Sequence, residues 1–341
     1  MRTLITGLVL AVFCSAALAQ VPGLSNAEVE DRTIINDPAK AVSKTGSGWI
    51  AMEIAAIDGT RSPCCWQGNW TSQREIGCSL DKDFRSYGST SDSPFEESVV
   101  VYARAIEGQV SQLRVTGAQC PMDAAGQTVT WVGETDDKDA LNWLATLASE
   151  SKERVSHAAL WAMALHASSE AGDHLYTMAR DDVGELAEEA IFWLGEARGQ
   201  AGYEALDELL DVLPAGETRR HINFALAQNG SNDAIERLFD TARNDHDPEQ
   251  RSMAMFWLAQ ERPEEAREFL LEVVHSENNE EVLDQAVFAI SQLPAETGSP
   301  MLLDLASDKD ASRHVRRQAL FWLAQSGDDE AIAQLTELLT R

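Results

Sequence analysis

ALFWLAQ, residues Ala319 to Gln325, sets Leu, Phe, Trp and Leu side by side in a stretch that reads as helix. Nearly the same word recurs upstream: AIFWLGE from Ala190, INFALAQ from Ile222, AMFWLAQ from Ala254 and AVFAISQ from Ala286, with ALWAMAL from Ala159 as a looser copy. Aligned, the words place Trp161, Phe192, Phe224, Phe256, Phe288 and Phe321 in one column, at intervals of 31, 32, 32, 32 and 33 residues. A near-constant period of this size marks a repeat architecture. An ordinary amphipathic surface helix would interrupt such a run with polar residues on one side. A helix clamped between its own partner and the neighbouring repeats is apolar over most of its circumference.

Each unit divides into two helices. The echoed word lies in the first, a turn such as Asn229-Gly230-Ser231-Asn232 or Ser326-Gly327-Asp328-Asp329 follows, and the second is amphipathic, as in DAIERLFDTA (233–242), EAREFLLEVV (265–274) and EAIAQLTELLT (330–340). Pro248, Pro263 and Pro294 fall between helices, where proline is tolerated. At about 100° per residue, Val315, Ala319, Trp322, Leu323 and Ser326 form one stripe, while Phe321 and Gln325 fall on a different side. One turn after the aromatic column stand Leu165, Glu196, Gln228, Gln260, Gln292 and Gln325. Two readings follow. In one, the rings pack against the next repeat and the glutamines cap helix carbonyls. In the other, rings and amides form a recognition strip for a protein partner, since aromatic anchors beside amides suit such contacts. The partner-binding candidates are thus Trp161, Phe192, Phe224, Phe256, Phe288 and Phe321 with Gln228, Gln260, Gln292 and Gln325.

The last unit, HVRRQALFWLAQSGDDEAIAQLTELL (314–339), carries a Val-Arg pair, a small-residue column, a Leu-small step, a Gly-Asp turn and closing leucines. In these features it resembles HEAT repeats of the short bacterial type, and TRRHINFALAQNGSNDAIERLF (218–239) matches them in part. The resemblance covers about 134–341 and departs from the pattern at ETGSPMLLDLA (296–306). It implies an α-solenoid, here of six HEAT-like helical hairpins, from a family whose members mostly bind other proteins and a few of which are enzymes.

The preceding residues read differently. MRTLITGLVLAVFCSAALA (1–19) has a basic start, an apolar core and a small-residue cleavage site, the pattern of a secretory signal peptide. The alternative of a lipidated Cys14 is disfavoured by the bulky Phe13 before it. Export to the periplasm or outside the cell is therefore expected, with no membrane span. Residues 20–47 read as an extended lead-in. Over 48–133 a small β-rich domain is expected, from GWIAMEIAAI (48–57), ESVVVYARAI (97–106), SQLRVTG (111–117) and QTVTWVG (127–133), with a hairpin turn at Glu107-Gly108-Gln109. The long polar segment from Asp58 to Pro94 holds Trp66 and Trp70, which serve either as core or as an exposed aromatic loop. Cys64, Cys65, Cys78 and Cys120 are an even set in an exported chain and read as two disulfides. A vicinal bridge is strained, so Cys64 and Cys65 are each expected to bond one of the other two. A four-sulfur zinc site is the competing reading.

The chain has 27 basic and 56 acidic residues, with 17 and 42 of them in 134–341. A surface this acidic repels phosphate backbones, which excludes nucleic acid as a partner. None of the seven histidines is followed by Glu, as the iron-binding HEAT-like enzymes would require, and no nucleophile elbow, zinc-protease motif or phosphate loop occurs. Neither catalytic nor metal residues are assigned, and no cofactor. The function expected is an exported, non-catalytic scaffold or regulator that binds a protein partner through its solenoid. The alternative is an enzyme or small-ligand-binding protein whose site lies in the β-rich domain.

Overall fold

The computed structural model describes residues 21–327 apart from 34–35, 70–71, 83–86, 91 and 183, and beyond them only Ala333, Gln334 and Thr336. The expected signal peptide, Trp70 and nearly all of the helix expected over 330–340 lie outside the described residues. The chain divides into two compact units, Met1–Ala140 and Leu141–Arg341.

The first unit contains, in order, β1 (Leu24–Ser25), β2 (Glu28–Asp31), α1 (Pro38–Thr45), β3 (Gly48–Ala55), β4 (Cys64–Asn69), β5 (Ser72–Glu75), β6 (Cys78–Ser79), β7 (Tyr87–Gly88), β8 (Ser98–Ile106), β9 (Gln109–Gly117), β10 (Met122–Asp123) and β11 (Thr128–Glu134). The main sheet has the order β2-β11-β3-β8-β9, antiparallel across β3, β8 and β9 and parallel from β3 through β11 to β2. β8 and β9 form a tight hairpin because Glu107 and Gly108 both adopt left-handed backbone, at φ 53° and 75°. Val99 to Ala103 are all buried, a continuous apolar run that suits a strand covered on both faces. On one face Trp49, Ala51, Val100, Tyr102, Val129 and Trp131 meet the four cysteines, Leu80 and Met122. There Cys64 is bonded to Cys120 and Cys65 to Cys78, so neither a vicinal bridge nor a four-thiolate metal site is present.

One expectation for this unit needs correction. The residues read as an extended lead-in belong to the fold: β2 is an edge strand of the main sheet, Val21 joins the disulfide core, and α1 packs near β3 and β11. That helix starts on Asp37, whose side chain accepts from the Lys40 N–H, with Pro38 in the first turn. The segment from Asp58 to Pro94 is tied down by both disulfides, through Cys64, Cys65 and Cys78. It contributes β4 to β7, and half-buried Trp66 donates its indole N–H to the Gly88 carbonyl at 2.9 Å.

The second unit is helical throughout its described residues. α2 (Asp137–Glu150), which begins at the end of the first unit, is followed by α3 (Glu153–Leu165), α4 (Glu170–Asp181), α5 (Glu185–Ala197), α6 (Gly199–Val212), α7 (Glu217–Asn229), α8 (Asn232–Asn244), α9 (Pro248–Glu261), α10 (Pro263–Ser276), α11 (Glu280–Ser291), α12 (Ala295–Ser307) and α13 (Arg313–Gln325). From α3 these form five hairpins and the first helix of a sixth. Some starts are set by side-chain caps: Ser231, Asp247, Asn279 and Ser312 each accept a backbone N–H of the first turn. Each second helix carries a buried small residue near its start, Ala171, Gly202, Ala234, Ala266 or Gly298. At Gly202 a Cβ would sit 1.9 Å from the Leu194 carbonyl oxygen, so α5 and α6 approach more closely than any side chain allows. Arginines tie one unit to the next. Arg219 donates to the Leu210 carbonyl and pairs with Asp245 at 2.7 Å; Arg251 donates to the Ala242 carbonyl and pairs with Glu277 at 2.6 Å. α12 stays helical through Pro300 despite its departure from the repeat pattern. None of the described helices is long and apolar enough to cross a membrane.

Candidate functional site

Each first helix packs beside the next, α3 on α5, α5 on α7, α7 on α9, α9 on α11 and α11 on α13. This layer brings the aromatic column together. Trp161 stacks on Trp193 with centroids 6.1 Å apart, Phe192 on Phe224 at 5.9 Å and Phe256 on Phe288 at 6.1 Å. Trp257 reaches back to Phe224 at 4.7 Å, and Trp322 to Phe288 at 4.8 Å. Within a helix, Phe192–Trp193, Phe256–Trp257 and Phe321–Trp322 meet edge to face at 4.9–5.0 Å. Nine rings therefore form one continuous ladder across six helices.

The ladder runs because alternate units differ. Units with Phe-Trp (192–193, 256–257 and 321–322) alternate with units where Ala follows the ring (161–162, 224–225 and 288–289). Each Trp contacts the ring of the preceding unit, and the Ala at the equivalent position is fully buried. The tryptophans Trp193, Trp257 and Trp322 are the ladder members that the column alone misses; the alternation of FW and FA (WA in the first unit) in the echoed words was the signal that could have found them. The sequence groups Trp322 in one stripe with Val315, Ala319, Leu323 and Ser326. Val315, Ala319 and Leu323 are buried, but Trp322 is half-buried in the ladder and Ser326 is exposed.

The rings are neither core nor free surface. Trp161, Phe192, Phe224, Phe256 and Phe288 are half-buried, and Phe321, at the end of the stack, is 51% exposed. Of the glutamines one turn later, Gln228, Gln260 and Gln325 are exposed and Gln292 is half-buried. Gln260 donates to the Gln292 carbonyl across the unit boundary at 3.4 Å, as capping would have it, whereas Gln292 donates to the Ser291 hydroxyl at 3.1 Å.

On the side one turn earlier the ladder is bordered by charge. His157 lies 2.9 Å from Glu189 and 3.8 Å from Glu185, His221 3.6 Å from Glu188, and Arg220 2.5 Å from Glu249, all between neighbouring units. His314 meets Asp284 in the same way. Burial pushes the Glu189 carboxyl above the usual carboxylate range, against the pull of His157 and of the Trp193 indole N–H, which donates to it at 3.3 Å. The groups Glu153–His157–Glu185 and Glu188–Glu217–His221 hold their ligand atoms within 4.8 Å of one another, close enough to take a cation. Chemically, the site is an amphipathic strip of polarisable ring faces between amides and charged pairs.

Residues 204–291 and 268–341 match the family model for HEAT repeats. The span from 204 to 341 is a run of HEAT repeats. No curated protein matches the chain. Among solved structures it is similar to a lipovitellin structure at 13% identity and a TM-score of 0.44, covering 61% of this chain but only 25% of that one. It is also similar to the complex of CpcE and CpcF of phycocyanin lyase from a Nostoc species, at 21% identity and a TM-score of 0.32, over 46% of this chain and 99% of that one. Human deoxyhypusine hydroxylase is a third, at 20% identity and a TM-score of 0.29, over 56% and 74% of the two chains.

Proposed function

We propose that the protein is an exported, non-catalytic scaffold or regulator that binds a protein partner through its helical array. The observation that carries this reading is the half-exposed ladder of nine rings. Aromatic side chains with a polar border are the surface type in which protein-binding energy concentrates. The ladder is preorganised by stacking, so a partner would order few side chains on docking. Export is supported by two disulfides, which persist in oxidising compartments.

The test is affinity capture on the immobilised full-length protein, followed by a dissociation constant for the recovered partner. The comparison is a variant carrying Phe256→Leu, Phe288→Leu and Phe321→Ala, which keeps most of the packed volume. Affinity is expected to fall about tenfold or more, the loss of one or two strong contact residues. A partner held equally well by the variant would overturn the ladder as the binding surface.

A further inference from the structure

A second surface lies on the other layer of the array, between the second helices α8 and α10. Glu236, Asp240 and Arg243 recur three or four residues apart on α8, and Glu265, Glu268 and Glu272 do so on α10, so each set forms one stripe. The stripes face each other across an open groove of about 460 Å³. Its floor is aromatic: Phe239 and Phe269 meet edge to face with centroids 5.3 Å apart.

Five carboxylates line this groove against one cation, Arg243. Among the described residues Glu236 and Glu268 have no cationic partner, whereas Asp240 is paired with Arg237 at 3.0 Å and Glu265 with Arg262 at 3.9 Å. Arg243 shows what the floor accepts. Its guanidinium lies 5.6 Å from the Phe239 centroid and 4.7 Å from that of Phe269, with Glu272 at 3.9 Å. A cation over ring faces beside a carboxylate gains from both, and Glu236 and Glu268, which no cation pairs among the described residues, leave charge for more.

We infer that the α8–α10 groove docks a Lys/Arg-rich segment of the protein partner, placing its cationic side chains over the Phe239–Phe269 floor and between the two acidic stripes. This rests on the scaffold reading and adds the chemistry of the partner. A charge excess of this sign excludes phosphate-bearing occupants.

The probe is a fluorescein-labelled dodecapeptide of alternating Arg and Ala, titrated by anisotropy against the full-length protein at about 0.15 M salt, where distant charges are screened beyond about 8 Å. Saturable binding is expected. Glu236→Lys with Glu268→Lys should weaken it about tenfold, while Glu296→Lys with Asp304→Lys on α12, an equal change of net charge, should stay within about twofold. Phe239→Leu, which keeps an apolar floor without a ring, should weaken it about threefold. Absence of saturable binding, equal loss in both charge variants, or no loss in the groove variant would each overturn the inference. The same groove variant is then carried into partner capture. A partner retained by it removes the groove and leaves the scaffold reading standing. If the wild-type protein captures no partner, the scaffold reading fails, and the peptide titration still decides the groove.

Discussion

Phe224 touches Phe192 on one side and Trp257 on the other, whereas Phe321 meets only Trp322 among the described rings and is 51% exposed. Truncation should therefore cost unequally along one column. Phe224→Ala is expected to lose about 2–4 kcal/mol, packing plus two ring pairs, and Phe321→Ala less than about 1 kcal/mol. Thermal melts of the two variants check this, and equal costs would contradict a stack anchored at its middle. Glu277 offers a second test. The Asn279 N–H holds its carboxyl below the usual carboxylate range, helped by Arg251 at 2.6 Å. A depressed carboxyl contributes stability that is present above its ordinary value near 4.5 and is lost as pH falls through the folded value. Glu277→Gln should thus cost about 1 kcal/mol at neutral pH, and its melting curve should converge with that of the wild type on acidification. A gap that persists at low pH would show that the carboxylate charge is not the source.

The crossing of α5 and α6 depends on the missing side chain of Gly202, whose Cβ would lie 1.9 Å from the Leu194 oxygen. Gly202→Val is expected to destabilise by about 3 kcal/mol or more, as overpacking against rigid backbone does, read from denaturant unfolding. A near-neutral result would mean that the hairpin opens without cost. Elements of this kind were legible because their signals are local: the aromatic column and the small residues recur at nearly fixed spacing, and each unit needs only its neighbours. The helix α1 was legible in principle from Asp37 and Pro38, but its eight residues make only about two turns on which a pattern can be read. β2 was not, since what makes it a strand is its parallel register with Thr128–Trp131, about a hundred residues away. For the ladder, the six column residues could be read from the repeat, while the part taken by Trp193, Trp257 and Trp322 depended on the packing distance between helices. The α8–α10 groove was likewise invisible, because its two stripes lie on different units.

The whole molecule joins a first unit held by cross-links to a second held by repetition. Cys64–Cys120 closes a separation of 56 residues and Cys65–Cys78 one of 13, both in the first unit. Reduction is expected to cost that unit about 2–5 kcal/mol per bridge and to leave the helical signal and its melt nearly unchanged. Circular dichroism with and without reductant tests this; helical loss in step with reduction would refute it. The alternation of Phe-Trp and Phe-Ala units also restricts how such an array can change in length. Excising one unit, such as 217–247, would set Trp257 against Phe192, which Trp193 already meets edge to face, whereas excising the pair 217–279 would return a Phe-Trp unit to the company of a Phe-Ala unit. The pair of repeats is then the step by which the array can shorten and keep its ladder, and an odd deletion should melt well below an even one although it removes less chain.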